Sequence, residues 1–282
     1  MGFHNKPNTF VSHVNIKVEN LERSLQYYQE IIGLHILEQT SRTAKLTTDG
    51  KTNILSLEQP DNVIPKQGRT TGLYHFALLL PEKKDLANFV VHLSKRGVHF
   101  GSADHLVSEA LYLHDPDGNE LEIYIDRDPS EWNWNGEEVT MAVDPLDFDG
   151  LLKHHVPDES WKVPEDTCMG HIHLHVSELD KTEEFYVKGL GFDVVNRFGA
   201  QALFLATGKY HHHIGVNTWN GVGAPTPPEN SVGMESFKLV LPNTDAIKET
   251  INNLKKIGAS VKEKNGRLVT YDPSGNRIEL VV

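Results

Sequence analysis

An internal repeat constrains the fold of this chain more than any other feature of its sequence. The segment Phe10–Val18 matches Cys168–Val176 at an offset of 158 residues, and Asp115–Glu122 matches Asp272–Glu279 at an offset of 157. Offsets that stay this constant over about 110 residues are typical of a duplicated structural unit. We therefore predict a first half, a linker and a second half: residues 8–126, 127–167 and 168–282.

Each half contains the same order of elements twice. Val11–Val18 has the β-branched composition of a strand, and Leu21–Ile32 spaces its apolar residues at helical intervals until Gly33 ends the helix. Short strands follow, and the whole order starts again with the apolar strand Leu73–Leu80. The sequence therefore predicts an α+β fold made of four βαβββ units, which we call the first to fourth quarters.

Composition and charge exclude several classes of protein. The 282 residues include 27 basic and 39 acidic side chains, for a net charge of −12 and no Lys/Arg cluster, which argues against a nucleic-acid or anionic membrane partner. The apolar runs are of strand length, well short of the ~20 residues of a membrane-spanning helix. The absence of a charged-then-apolar leader and the single cysteine, Cys168, predict a cytoplasmic protein. The linker carries three tryptophans, so we expect it to lie ordered on the surface: Trp132, Trp134 and Trp161.

The paired units and their D-P-x-G-N-x-x-E endings resemble the vicinal oxygen chelate superfamily. That superfamily includes glyoxalase I, extradiol dioxygenases and bleomycin-resistance proteins. The resemblance implies that the quarters pair into two open barrels of the glyoxalase/dioxygenase type and that a barrel interior holds a metal ion. Because the same fold carries different chemistries, the function depends on which side chains face that interior.

The resemblance also implies which strands carry metal ligands, but two ways of pairing the quarters stay open. With the quarters paired in chain order, the candidate sets are His13, His75 and Glu122, or His171, His213 and Glu279. With the second quarter paired to the third, the set is His75, Glu122, His171 and His213. We take His75, Glu122 and His171 as the candidate ligands. Two histidines and one carboxylate leave coordination positions open, which suits Fe(II) that binds a substrate and dioxygen together.

A motif in the second quarter resembles the signature of extradiol ring-cleavage dioxygenases. It runs from His105 through Tyr112 and an Asp-Pro-Asp-Gly turn to Glu122, and it departs from the family pattern at Ala103. In the fourth quarter Val269 stands where Tyr112 does, so the motif occurs in one quarter alone. The resemblance implies that His105 and Tyr112 act beside the metal.

A run of three histidines in the third quarter offers a proton acceptor. Extradiol enzymes carry an acid–base histidine on this strand, and the resemblance implies that His212 takes this role, with His213 as the alternative. Both cannot point inward, because side chains alternate along a strand. We interpret several other histidines, among them His4, as surface residues.

Taken together, these features predict an Fe(II)-dependent extradiol dioxygenase, similar to catechol 2,3-dioxygenase, that cleaves catechol-type rings. Its partners would be a small aromatic diol and O2, with no nucleic acid and no membrane, and its edge strands are compatible with a homo-oligomer. Two alternatives remain: a glyoxalase-type isomerase or lyase that uses Ni, Zn or Mn, and a non-catalytic, drug-sequestering binder. A requirement for ferrous iron and the consumption of dioxygen distinguish the first prediction from both.

Overall fold

The computed structural model describes residues 2–157, 160–264 and 266–282, and its first half contains the predicted order of elements. The elements are β1 (Phe10–Lys17), α1 (Leu21–Tyr27), β2 (His35–Gln39), β3 (Thr43–Thr47), β4 (Leu55–Glu58), β5 (Gly72–Leu79), α2 (Lys83–Arg96), β6 (Gly101–Asp104), β7 (Ser108–His114) and β8 (Glu120–Asp126). Asn20 caps α1 by accepting a hydrogen bond from the backbone N–H of Arg23. The helix predicted to reach Ile32 is α-helical only to Tyr27 and then forms a π-helical turn, which ends at Gly33 with a φ of 92°.

The second half repeats this order. Its elements are β11 (Cys168–His175), α4 (Asp180–Glu184), β12 (Asp193–Phe198), β13 (Ala202–Ala206), β14 (Ile214–Asn217), β15 (Gly233–Val240), α5 (Thr244–Lys256), β16 (Val261–Lys264), β17 (Arg267–Tyr271) and β18 (Arg277–Val281). The linker contributes β9 (Trp134–Asn135), β10 (Glu138–Val139) and α3 (Phe148–Leu152). The α+β fold predicted from the repeat is confirmed.

The linker is ordered, but it is more deeply packed than a surface connection. Trp132 is only 6% exposed, and the indole N–H of Trp161 donates a hydrogen bond to the carbonyl of Ile32. Residues 158 and 159 of the linker lie outside the described residues. The part that the structure describes therefore stabilises the first half as well as connecting it to the second.

The strands form two eight-stranded sheets, and each sheet takes strands from both halves. One runs β16-β17-β18-β15-β1-β4-β3-β2 and joins the first quarter to the fourth; we call it the 1–4 sheet. The other runs β12-β13-β14-β11-β5-β8-β7-β6 and joins the second quarter to the third; we call it the 2–3 sheet. The pairing that the sequence left open is therefore the swapped one.

The largest apolar cluster crosses between the two sheets. It contains Val14 and Phe237 from the 1–4 sheet together with Phe76 and Ile172 from the 2–3 sheet, all with fully buried side chains. Burial of this kind, at about 25 cal/mol per Å² of apolar surface, provides most of the stabilisation of such a fold. Among the described residues, no helix combines the length and apolar character needed to cross a membrane.

Candidate metal centre

Three of the predicted residues lie on adjacent central strands of the 2–3 sheet. His75 is on β5, which pairs with β8 on one side and with β11 on the other. Ala77, two residues beyond His75, is directly opposite Glu122 of β8 and His171 of β11. Because side chains alternate along a strand and opposite residues share a face, His75, Glu122 and His171 all point to the same side of the sheet.

The donor atoms of these three residues converge. The Nε2 atoms of His75 and His171 lie 3.1 Å and 3.0 Å from Oε2 of Glu122, and all three donor atoms are within 4.8 Å of one another. Yet neither nitrogen of His75 has a well-directed hydrogen-bond partner among the described residues. Atoms in this arrangement can bind one divalent ion through bonds of about 2.0–2.2 Å, and the donor set therefore fits a metal.

Burial and mutual charge control the protonation of this cluster. Burial alone would lower the pKa of His75, but the carboxylates of Glu120 and Glu122 outweigh it and raise that pKa to about 9. Burial would raise the pKa of Glu122, but the imidazoles of His171 and His75 hold it well below its usual value. Burial lowers the pKa of His171 despite the nearby Glu122. Without a metal, a proton on His75 therefore supplies the positive charge that the buried carboxylate requires.

The chain-order ligand sets are not brought together. His13 and Glu279 lie on β1 and β18 of the 1–4 sheet. There, Nε2 of His13 is 2.8 Å from the hydroxyl of Ser56, and the carboxylate of Glu279 accepts hydrogen bonds from Arg267 and Arg277 at 3.1 and 3.4 Å. An ion pair thus occupies the place in the 1–4 sheet that corresponds to the His–Glu–His cluster.

His213 also lies outside the cluster. Its Nε2 is 3.1 Å from the carbonyl oxygen of Phe3, and its Nδ1 accepts a hydrogen bond from the backbone of Thr207. The four-ligand set predicted for the swapped pairing is therefore reduced to three. His212 is the member of the run that faces the cavity, and its ring centroid lies 4.1 Å from that of His171.

A cavity of about 350 Å³ opens beside His75 and Glu122, whereas His171 lies behind its lining residues. Its polar part is lined by His75, His105, Tyr112, Glu120, Glu122, His173 and His212. Its apolar part is lined by Tyr74, Met141, Val143, Phe198, Phe204 and Trp219. A flat apolar molecule with polar groups at one end would match this distribution of side chains.

His105 and Tyr112 form a hydrogen-bonded pair at the edge of this cavity. Nδ1 of His105 is 2.7 Å from the carbonyl oxygen of Ala142, and its Nε2 is 2.6 Å from the hydroxyl of Tyr112. Since a carbonyl only accepts, His105 donates through Nδ1 and accepts the phenolic proton at Nε2. Burial and the charge of Glu122 raise the pKa of Tyr112 well above its usual value, so its hydroxyl stays protonated.

Two groups of cavity residues were not singled out from the sequence. One is His173, which lines the cavity and accepts a hydrogen bond at Nε2 from the amide of Asn217. A Cβ on Gly215 would lie 2.8 Å from the His173 ring, so glycine is needed there. The second group, residues 141–143, comes from the linker. The three tryptophans of the linker predict that it is ordered, but no sequence motif predicts that it contacts the site.

Known proteins resemble this chain both in sequence and in fold. The model of the Glyoxalase/Bleomycin resistance protein/Dioxygenase superfamily matches residues 11–123 and 169–280. The chain is 42% identical over 278 residues to a catechol-2,3-dioxygenase of Bacillus subtilis (strain 168), covering 97% of the chain and 98% of that relative. It is 28% identical over 160 residues to biphenyl-2,3-diol 1,2-dioxygenase 3 of Rhodococcus globerulus, covering 52% of the chain and 84% of that relative. Glyoxalase I of Zea mays shares the fold, with a TM-score of 0.58 at 15% identity over 97% of this chain and 92% of that one.

Proposed function

Because the chain belongs to the Glyoxalase/Bleomycin resistance protein/Dioxygenase superfamily, we propose that it is an extradiol dioxygenase that uses Fe(II) and O2 to cleave catechol-type rings. The observation that carries this proposal is the buried His75–Glu122–His171 cluster, which adjoins a cavity that also contains His212, His105 and Tyr112. The 42% identity to a catechol-2,3-dioxygenase over nearly the whole chain supports the same reaction.

In this proposal His75, Glu122 and His171 hold the iron. When bound, Fe(II) supplies a centre at which a catechol and dioxygen can be held together and through which electrons pass from one to the other. The three protein ligands come from one sheet face, and the cavity lies beside them. The substrate positions would therefore lie on the cavity side of the ion.

His212 is suited to take a proton from a catechol hydroxyl. Burial and the adjacent His171 hold the pKa of His212 well below its usual value, so its imidazole is neutral near neutral pH. Its Nδ1 is engaged with His211 at 2.8 Å, which leaves Nε2 for a ligand in the cavity. A neutral imidazole within reach of a substrate hydroxyl is an ordinary general base.

Tyr112 and His105 are suited to stabilise negative charge that develops on the substrate. The hydroxyl of Tyr112 can rotate about its C–O bond, so its one proton can turn from Nε2 of His105 to a substrate oxygen when the substrate is bound. His105, anchored to the carbonyl of Ala142, fixes where the phenolic oxygen lies, so that only the proton has to change direction.

The apolar wall positions the ring and excludes water. Phe204 and Trp219 pack against the ring of His173 at centroid distances of 5.6 and 5.4 Å, and Tyr74 packs against the same ring at 5.0 Å. An aromatic substrate can stack on such side chains in offset or edge-to-face geometry. Holding the substrate in one orientation converts an encounter into an intramolecular step.

The test is oxygen consumption by the iron-loaded protein. The protein is loaded anaerobically with Fe(II), mixed with catechol and then exposed to air, while an oxygen electrode and an absorbance spectrum are recorded. We expect one O2 consumed per catechol and a yellow ring-cleaved product. Bound iron without oxygen uptake would contradict the proposal, and activity with Ni, Zn or Mn that consumes no O2 would favour a glyoxalase-type reaction instead.

A further inference from the structure

A buried series of hydrogen bonds lies behind His212, on the side away from the cavity. Nδ1 of His212 is 2.8 Å from Nδ1 of His211, and Nε2 of His211 is 2.7 Å from Oδ1 of Asp126. The hydroxyl of Tyr210 donates to the same carboxylate oxygen at 3.1 Å. None of these three residues, His211, Asp126 and Tyr210, has a role in the reaction described above.

When His211 is neutral, hydrogen-bond chemistry gives this series one direction. The carboxylate of Asp126 only accepts, so His211 donates through Nε2–H. A neutral imidazole carries a single N–H, and Nδ1 of His211 is therefore an acceptor. His212 must then donate through Nδ1–H, which leaves the lone pair on its Nε2. That nitrogen is the one available to the cavity.

We propose that Asp126 and His211 are positioning residues that hold His212 in the tautomer with an unprotonated Nε2. The inference rests on the proposed role of His212 in the reaction. In the opposite tautomer, Nε2 carries a proton and cannot accept another from a substrate hydroxyl. The direction of the series therefore decides whether His212 can act as a base toward the cavity.

The surroundings hold the series in place. His211 is fully buried, with the ring of Tyr210 at 4.0 Å and that of Trp132 at 5.2 Å between centroids. Asp126 lies on β8, four residues beyond Glu122. One strand thus carries both a candidate metal ligand and the acceptor that orients the candidate base, so their relative position is set by the backbone.

The first test reads the tautomer directly. The Zn(II)-loaded protein, which is diamagnetic, is labelled with ¹⁵N-histidine, and the two ring nitrogens of His212 are observed by long-range proton–nitrogen correlation, with His212→Gln used for assignment. We expect a protonated Nδ1 and an unprotonated Nε2 in the wild type. A protonated Nε2 in the wild type would overturn the proposal whatever the variants do.

The variants test whether the series causes this tautomer. His211→Phe keeps a ring between Tyr210 and Trp132 but removes the acceptor, and Asp126→Leu removes the carboxylate, so both should give a mixture of His212 tautomers. Tyr210→Phe is the matched control, since it removes a hydrogen bond to the same carboxylate but leaves His211 in place. The same mixture in Tyr210→Phe would indicate a general structural effect and would count against the proposal.

Steady-state kinetics provide the functional readout. In His211→Phe and Asp126→Leu, kcat should fall by about 10- to 100-fold, part of the ~10²–10⁴-fold usual for acid–base catalysis, while KM for catechol changes by less than about threefold. Asp126→Asn retains an acceptor oxygen and should recover most of kcat. An unchanged kcat in both variants would overturn the proposal. A wild type that consumes no O2 would refute the proposed function instead, and the tautomer measurement would still decide the positioning.

Discussion

Glu122 in the 2–3 sheet lies between two imidazoles, whereas its counterpart in the 1–4 sheet, Glu279, lies between two guanidinium groups. Single-residue differences between the repeats account for this contrast between the two carboxylates. Arg277 stands in the 1–4 sheet where the repeat has Glu120, and its guanidinium reaches Glu279. Two equivalent backbone positions therefore carry a candidate metal ligand in one sheet and the carboxylate of an ion pair with two arginines in the other.

Replacing these two carboxylates separately distinguishes the sheets. Glu122→Gln should lower the iron retained after anaerobic loading and desalting by at least about tenfold, because an amide is a much weaker ligand than a carboxylate. Glu279→Gln is the matched change in the other sheet and should leave the iron content near the wild-type value. Metal analysis of the two purified variants checks this. Loss of iron in Glu279→Gln with retention in Glu122→Gln would contradict the site.

Metal binding should also depend on pH. The carboxylates near His75 outweigh the effect of burial and raise its pKa to about 9, so below that pH a proton must leave His75 before a metal can bind. We therefore expect the affinity for Co(II) to rise about tenfold per pH unit between neutrality and about pH 9 and then to level off. Titration calorimetry in buffers of different ionisation enthalpy would count the released protons. A flat profile over this range would be inconsistent with a protonated His75.

A spaced motif in the sequence names residues that lie together in the fold. His105, Tyr112 and Glu122 belong to one spaced motif, and the structure brings all three to one cavity. His4 shows the opposite outcome. It was interpreted as a surface residue, but it is only 7% exposed and its Nε2 is 2.7 Å from the carbonyl oxygen of Gly170. No local pattern indicates that a residue close to the start of the chain packs against β11.

At the scale of the elements, the end of the histidine run shows how one residue of register decides the site. β14 begins at Ile214, immediately after His213, and Ile214 pairs with Ile172 of β11. A shift by one residue would exchange the faces of His212 and His213. The sequence pattern does not determine this register, and for that reason both histidines stayed open until the structure was known.

Gly215 provides a test at this scale. Because a Cβ there would come within 2.8 Å of the His173 ring, Gly215→Ala should displace that ring and lower the free energy of unfolding by about 1–3 kcal/mol. Gly101→Ala in β6 is the control, since its Cβ would make only an ordinary contact, 3.5 Å from Tyr112. Urea unfolding of both variants gives the comparison. Equal stability of the two would show that β14 and β11 approach less closely than described.

The boundaries of most elements follow from local sequence, with clear exceptions. Helix α2 ends at Arg96 because Gly97 adopts the left-handed conformation that ends helices. Strand β6, at Gly101–Asp104, is one of the exceptions. Its position is set by pairing with β7, a contact between strands that composition alone does not reveal.

At the scale of the whole molecule, the main feature is that both sheets combine strands from both halves. β1 pairs with β15 and β5 with β11, so neither half contains a complete sheet. The repeat predicts four similar units, but similar units can pair in either order. Packing between distant parts of the chain selects one pairing order, and the periodicity of the sequence does not predict which.

Several buried histidines are neutral in the folded protein, so the free energy of unfolding should fall in acid. Burial lowers the pKa of His4 to about 4, and burial together with the charge of Lys238 lowers that of His13 to about 3. When folding lowers the pKa of a histidine, its neutral form stabilises the folded state fully above the pKa of the unfolded chain, about 6.5. This stabilisation is lost as the pH falls toward the pKa of the folded state. For each such histidine, the free energy of unfolding should therefore fall by up to about 1.4 kcal/mol per pH unit below pH ~6.5.

This prediction is checked by urea unfolding between pH 7 and about pH 5. The wild-type free energy of unfolding should fall steadily over that range. His4→Gln, which does not titrate, should be less stable than the wild type at pH 7 but should lose stability more gradually on acidification. A variant with the same pH dependence as the wild type would show that His4 does not contribute.

The proposed function requires one metal ion held by His75 and Glu122 from the first half together with His171 from the second. Anomalous diffraction at the iron edge, from crystals loaded with Fe(II) without oxygen, measures this directly. We expect a single strong peak within about 2.0–2.3 Å of Nε2 of His75, Nε2 of His171 and a carboxylate oxygen of Glu122. A peak beside His13 and Glu279, or iron bound by His213, would contradict it.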